Sequence, residues 1–207
     1  MHKPLLSYAV AIALGAATLP AAAQSAGDWT LGAGVHVVDP KSDNGRVAGG
    51  TLDVGVDRDI KPTLTVEYFV HDKLGVEVLA AWPFQHDIQI AGLGRVGDTK
   101  QLPPTVSLQY HFNGQDRVSP FLGAGINYTA FFSEDTRGAL EGSKLKLGDS
   151  WGLAAHAGVD FAVGQRGAIR IDARWIDIDT DVSLDGAKLG TVAIDPIVYG
   201  AAYVMKF

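Results

Sequence analysis

Glu67 and Glu77 are the residues of this 207-residue chain that first invite a chemical reading. They flank the Asp72-Lys73 turn in TLTVEYFVHDKLGVEVLAAWPF, and a hairpin there would set both carboxyls on one face. Paired carboxylates can act as general acid and base. The same inward faces, however, also carry Asp160, Arg170, Asp172 and Arg174, and buried charges are tolerated only when they pair. An ion-paired interior is therefore the preferred reading of Glu67, Glu77, Asp160, Arg170, Asp172 and Arg174. Ser150 and His156 share one extended segment, where six positions at ~3.3 Å each separate them too far for proton transfer. Val192–Phe207 contains neither His nor Ser, which removes a C-terminal hydrolase pair. No catalytic residue is assigned, and the chain is not expected to be an enzyme.

Other motifs fail on context. GLGRVG, Gly92–Gly97, matches the dinucleotide pattern G-x-G-x-x-G, which needs a helix N-terminus after the glycines. DTKQLPPT follows instead, and its paired prolines forbid a regular helix, so a mobile outer loop is expected. NYT at Asn127–Thr129 fits a glycosylation pattern but falls inside a strand-like run and receives no role. His36, His71, His86, His111 and His156 lie on different segments without metal-ligand spacing, and there is no cysteine. Neither cofactor nor metal is expected. A net charge of -6 argues against a nucleic-acid partner.

The elements that must position the charges alternate with a period of two. In TVSLQYHF, Val106, Leu108, Tyr110 and Phe112 oppose Thr105, Ser107, Gln109 and His111. The same pattern recurs in DWTLGAGVHVVD, TLTVEYFVH, LGVEVLAAWPF, FLGAGINYTAF, WGLAAHAGVDF, AIRIDARW and the closing IVYGAAYVMKF. That makes about eight strands, most near the ~10 residues of a tilted membrane strand. Long polar connections at Pro40–Lys61, Gln85–Leu102, Ser133–Gly148 and Asp181–Val192 alternate with short ones at Asp72-Lys73, Asn113–Ser119 and Gly164–Gly167. Residues 1–23 carry Lys3, an apolar run Leu5–Leu19 and Ala21-Ala22-Ala23, the layout of a cleaved signal peptide. Residues 24–207 would then form one all-β domain, an eight-stranded antiparallel transmembrane up-and-down β-barrel in a Gram-negative outer membrane.

Alternation alone leaves open which face is wet, since a soluble calyx also alternates. Trp and Tyr gather near strand ends, as membrane girdles do, and the apolar faces are nearly free of charge. Hydrocarbon is therefore placed outside and the charges inside. Tyr203, Met205 and Phe207 then face lipid, and they resemble the C-terminal signal read by the outer-membrane assembly machinery. Pro83, Pro103-Pro104 and Pro196 lack ladder amides and belong at strand starts, edges or bulges. Trp82 and Phe84 imply a strand continuing past Pro83, so a locally unzipped seam is expected there. In RWIDIDTD the apolar residues shift to Ile176 and Ile178, which strict alternation turns inward beside Trp175 as an apolar mouth.

The stretches VEVLAAWPFQH, LPPTVSLQYHF, PFLGAGINYTAFF, DSWGLAAHAGVD, IDIDTDV and DPIVYGAAYVMKF resemble, in the same order, the outer membrane protein W (OmpW) family and its AlkL-type relatives. The resemblance implies a barrel with a narrow apolar passage that helps small hydrophobic solutes across the outer membrane and releases them sideways into lipid. Capture by outer loops, passage by Trp175, Ile176 and Ile178, and exit near Trp82, Pro83 and Phe84 are the expected steps. The alternative is a non-transporting structural or surface-recognition barrel whose outer loops bind phage, bacteriocin or host factors.

Overall fold

The computed structural model describes residues 25–113 and 116–207; the expected leader, residues 1–23, lies outside them. In chain order the strands are β1 (Trp29–Asp39), β2 (Arg46–Val47), β3 (Leu52–Val56), β4 (Asp59–His71), β5 (Leu74–Ala81), β6 (Phe84–Ile90), β7 (Gly94–Leu102) and β8 (Thr105–His111). They continue as β9 (Val118–Thr136), β10 (Leu145–Leu147), β11 (Ser150–Val163), β12 (Gly167–Ile176), β13 (Asp179–Leu184), β14 (Ala187–Ala193) and β15 (Ile197–Lys206).

Eight of these close a cylinder of antiparallel neighbours, β1-β4-β5-β8-β9-β11-β12-β15. The last strand returns to the first in a ladder from Thr30↔Lys206 to Asp39↔Ile197. Closure pairs the first and last strands with each other, edges that would otherwise present amides and carbonyls to hydrocarbon. Along each wall the outward positions are apolar and exposed, as with Val106, Leu108 and Tyr110 on β8 or Leu122 and Ile126 on β9. Rings meet in pairs near the strand ends, Trp29 with Tyr68 and Trp151 with Tyr128, each at 4.8 Å between centroids. The backbone of β8 lies close enough to demand glycine on β9. A Cβ on Gly125 would run into the Val106 carbonyl oxygen, so no larger residue fits without moving backbone.

Above the cylinder the structure corrects the expectation of polar loops. The Gln85–Leu102 connection is a hairpin of β6 and β7, and GLGRVG is its turn and the start of β7 rather than a mobile loop. Gly92 and Gly94 turn the chain with φ of 81° and 73°. The physical cause is β9, which outruns the barrel to Thr136 and offers its upper edge to β7 from Leu102↔Ala130 to Gly97↔Thr136. On the far side of the hairpin, β3 pairs with β6. The connections Ser133–Gly148 and Asp181–Val192 likewise contribute β10, β13 and β14 to a three-stranded sheet. Apolar inward faces of the two sheets pack on one another. Val38, Phe84, Phe131, Leu147, Ile176, Ile178, Ile194 and Val198 form part of one buried cluster.

Candidate functional site

The inward face divides into a charged lower section and an apolar upper one. In the lower section Arg170 is the hub. Its Nε and Nη2 donate to the two Asp160 carboxylate oxygens at 2.8 and 3.0 Å, and its Nη1 donates to Glu77 Oε2 at 2.7 Å. Glu77 and Glu67 are in direct register across the β4–β5 hairpin. Glu77 also receives Arg174 Nη2 at 2.6 Å, and Glu67 lies 3.7 Å from Arg170 Nη2. Gln109 Nε2 donates to Glu67, whose Oε1 lies 2.9 Å from His111 Nε2. Asp172 stands in a separate group, 3.0 Å from His36 Nε2. Below the network Phe69 and Phe121 are buried on either side of His111, and the Arg170 guanidinium sits 4.4 Å over the Phe121 ring. All these side chains are almost fully buried, so ion pairs and rings fill the cylinder on its short-turn side. The carboxylates are committed to guanidinium, amide and imidazole partners, an arrangement that fills space.

Ser150 and His156 are not brought together. Ser150 Oγ accepts from the Asp179 amide at 3.1 Å, and His156 bonds Gln109 Oε1 at 2.8 Å.

Higher up, β12 and β13 keep their alternation without a slip. Arg170, Asp172, Arg174, Ile176, Ile178 and Thr180 are all buried on one face. Ile176 and Ile178 are 1% and 0% exposed in the apolar cluster, whereas Trp175 is 41% exposed and stands on the outer wall opposite Ile197. The structure thus joins Ile176 and Ile178 with Phe84 and separates Trp175 from them, because neighbours on a strand face opposite ways.

Within the outer part of this cluster lies an apolar chamber of about 50 Å³ between the outer sheets. Val54, Val96, Leu145, Leu147, Val182 and Val192 line it, with His86 and Gln101 among the few polar residues at its wall. Apart from His86, weighed and set aside as a metal ligand, none of these lining residues was singled out by sequence reasoning. The available signal was local alternation, Leu145/Leu147 and Ile88/Ile90, inside stretches whose outward residues are polar. Burial, the dominant influence on His86, holds its ring below the ordinary histidine value, so the imidazole is neutral near neutral pH.

The wall beside the cluster is interrupted. The β5–β8 ladder ends at Leu79↔Thr105, and pairing resumes only at Phe84↔Gln101 in the β6–β7 hairpin. Between these points Ala80–Pro83 faces Leu102–Pro104 without ladder pairing, and three of those residues are prolines. The strand expected to continue past Pro83 instead breaks at Trp82-Pro83 and restarts at Phe84. Both flanks remain held: the Trp82 amide donates to the Pro62 carbonyl at 3.0 Å, and the Tyr128 amide to the Pro104 carbonyl at 3.1 Å. Trp82 is exposed at the outer wall, while Phe84 is buried in the cluster.

A family model for the OmpW family matches residues 25–207. Outer membrane protein W of Vibrio cholerae serotype O1 is 35% identical over 219 residues, covering 100% of both chains. Outer membrane protein AlkL of Ectopseudomonas oleovorans is 32% identical over 193 residues, with 86% of this chain and 82% of that protein covered. The crystal structure of OprG from Pseudomonas aeruginosa matches with a TM-score of 0.80 at 36% identity, over 89% of this chain and 98% of that one. These relatives are named as outer-membrane proteins and not as enzymes. A closed antiparallel cylinder, a lipid-compatible wall and a match across all the described residues converge on one conclusion: this chain belongs to the OmpW family and is an eight-stranded β-barrel of the Gram-negative outer membrane.

Proposed function

We propose that this barrel is a passive entry port for small hydrophobic solutes. The observation that carries the reading is the junction of three features: an apolar chamber above, an ion-paired plug below, and an unpaired stretch of wall between them. A hydrophobic molecule entering the chamber finds no favourable path through the buried charges around Arg170, since it would have to separate them. The route of least cost is sideways, past Ile176, Ile178 and Phe84 and out between Ala80–Pro83 and Leu102–Pro104 into lipid. Pro83, Pro103 and Pro104 hold that exit by withholding amides that would otherwise zip the wall.

Exposed Tyr203, Met205 and Phe207 on the closing strand are read as the signal for the assembly machinery, and residues 1–23 as a leader removed on export.

The test is uptake of a hydrophobic dye into liposomes carrying the wild type or Pro83→Val. The variant should fold to the same barrel, by its circular-dichroism spectrum, and take up dye several-fold more slowly. Unchanged uptake would remove the sideways route. Wild-type uptake equal to that of empty liposomes would favour the non-transporting surface-recognition barrel instead.

A further inference from the structure

We propose that the flank where β9 rises past β11 docks a phosphate-bearing lipid of the outer leaflet, with its phosphate on Lys100, Lys144 and Lys146 and its acyl chains on the wall beneath. A change of strand partners opens the surface here. β9 pairs with β11 only as far as Thr129↔Ser150, and above that level β10 stands beside it while pairing with β13. Side chains hold β9 and β10 together instead. The Phe131 amide donates to Asp149 Oδ1 at 3.2 Å, and the Leu147 amide to Glu134 Oε1 at 3.3 Å. An open cleft of about 650 Å³ remains between the two strands.

The cleft is cationic. Leu145 and Leu147 turn inward to the chamber, so Lys144 and Lys146 turn the other way, into the cleft. Phe132 lines its β9 side and is 36% exposed. Across the next ladder Phe132 is in register with Lys100, and register partners share a face, which puts a third ammonium beside the ring. Elsewhere on the outer surface Lys41, Lys61, Arg95, Arg137 and Lys188 each sit on a carboxylate. Among the described residues Lys100, Lys144 and Lys146 have no such ion pair. The two acids of the cleft serve neutral donors: Glu134 takes the Leu147 amide, and Asp149 takes the Phe131 amide and the Tyr128 hydroxyl, the latter at 2.6 Å. Higher on β9, Asp135 is matched by Arg137. Three ammoniums against two carboxylates leave a local positive excess on a chain of net charge -6. On the far side of the cylinder, above β1, the balance reverses, and Asp43, Asp179 and Asp195 surround Lys41.

Height decides what this excess meets. Tyr128 and Trp151, with ring centroids 4.8 Å apart, mark the outer interface directly below. Four residues at ~3.3 Å each, on a strand tilted ~40°, place Phe132 about 10 Å above Tyr128. Headgroups occupy the layer between, and long lysine stems carry their ammoniums to it. Acyl chains of the same lipid fall along Trp151, Leu153 and Ile126, all exposed on the wall. One continuous surface, apolar below and cationic above, thus matches a single amphiphile.

The test uses the full barrel in detergent micelles, with native mass spectrometry counting bound lipid A and dephosphorylated lipid A. The phosphorylated form should bind the wild type about 10-fold or more tightly than the other. Lys100→Gln, Lys144→Gln and Lys146→Gln should each weaken it about 5-fold, the effect of one lysine near an anionic lipid surface. Lys188→Gln, which removes a lysine already paired with Asp181, should leave binding unchanged. Equal binding of the two lipids by the wild type would overturn the inference, and so would a triple Lys→Gln variant that binds lipid A like the wild type. Displacement of lipid A by an equimolar amount of inorganic phosphate would assign the lysines to a free anion and overturn it as well. The wild-type comparison decides the matter even if the triple variant does not fold. None of these readouts involves solute uptake, so the lipid site and the entry port stand or fall separately.

Discussion

The lower lumen and the outer chamber are built on the same strands, yet they oppose each other in chemistry. β12 runs into β13 with one uninterrupted inward face that reads Arg170, Asp172, Arg174 and then Ile176, Ile178, Thr180. Nothing in the backbone changes phase where charge gives way to hydrocarbon. The pleat sets direction alone, and side-chain identity decides whether a given level of the cylinder is a plug or a chamber. The lower level is closed by mutual commitment of Glu67, Glu77, Asp160, Arg170 and Arg174, the upper by packing that needs no partner.

The contrast can be broken most severely at Arg170. Arg170→Met strands Asp160, leaves Glu77 with Arg174 alone, and should destabilise the barrel by about 3–5 kcal/mol. Urea unfolding in detergent micelles, followed by tryptophan fluorescence, would measure it; a loss below ~1 kcal/mol would mean the network fills space without holding the fold.

A smaller effect is expected above. Ile178→Ala should cost about 3 kcal/mol, as cavity-forming substitutions do. Its consequence should be confined to the outer sheets, with faster amide exchange in β13 and faster dye uptake while the membrane strands stay protected. Uniform loss of protection throughout the barrel would show that the two regions are one cooperative unit.

The mildest perturbation is pH. The His86 value is lowered in the fold, so its stabilising contribution is complete above the ordinary histidine value of 6.5 and is lost as pH falls beneath it, where the unfolded hairpin gains a proton first. Exchange of the β6 and β7 amides, corrected for intrinsic rates, should therefore rise between about pH 7 and 5, and His86→Gln should flatten the response.

The eight barrel strands were legible because each wall position meets one of two solvents, lipid or lumen, and the period of two writes that difference into the sequence. The Glu67–Glu77 juxtaposition was legible too, since a two-residue turn leaves little freedom in register. The chamber was not. Its strands are short, and their outward residues face water, so Asp, Lys and Gly between Val54, Ile88, Leu145 and Val182 imitate loop composition. Pro83 marked an irregularity in the wall, but Trp82 and Phe84 implied a strand continuing past it; the break there, and its alignment with Pro103-Pro104, depend on the β5–β8 register. Trp175 was grouped with Ile176 by sequence neighbourhood, which in a strand means opposite faces.

Alternation of side-chain polarity, taken with rings at the strand ends and apolar faces nearly free of charge, determined that this chain forms a closed cylinder with hydrocarbon outside and charge within, because in a membrane the opposite wrapping would put Arg170 or Glu77 into lipid. Tertiary structure decided the rest: that Arg170 meets Glu77 across 93 positions of sequence, that His36 meets Asp172 across 136, and that the outer hairpins converge on one chamber. Those contacts depend on ring closure and strand register, which bring distant segments together at distances that no local spacing encodes.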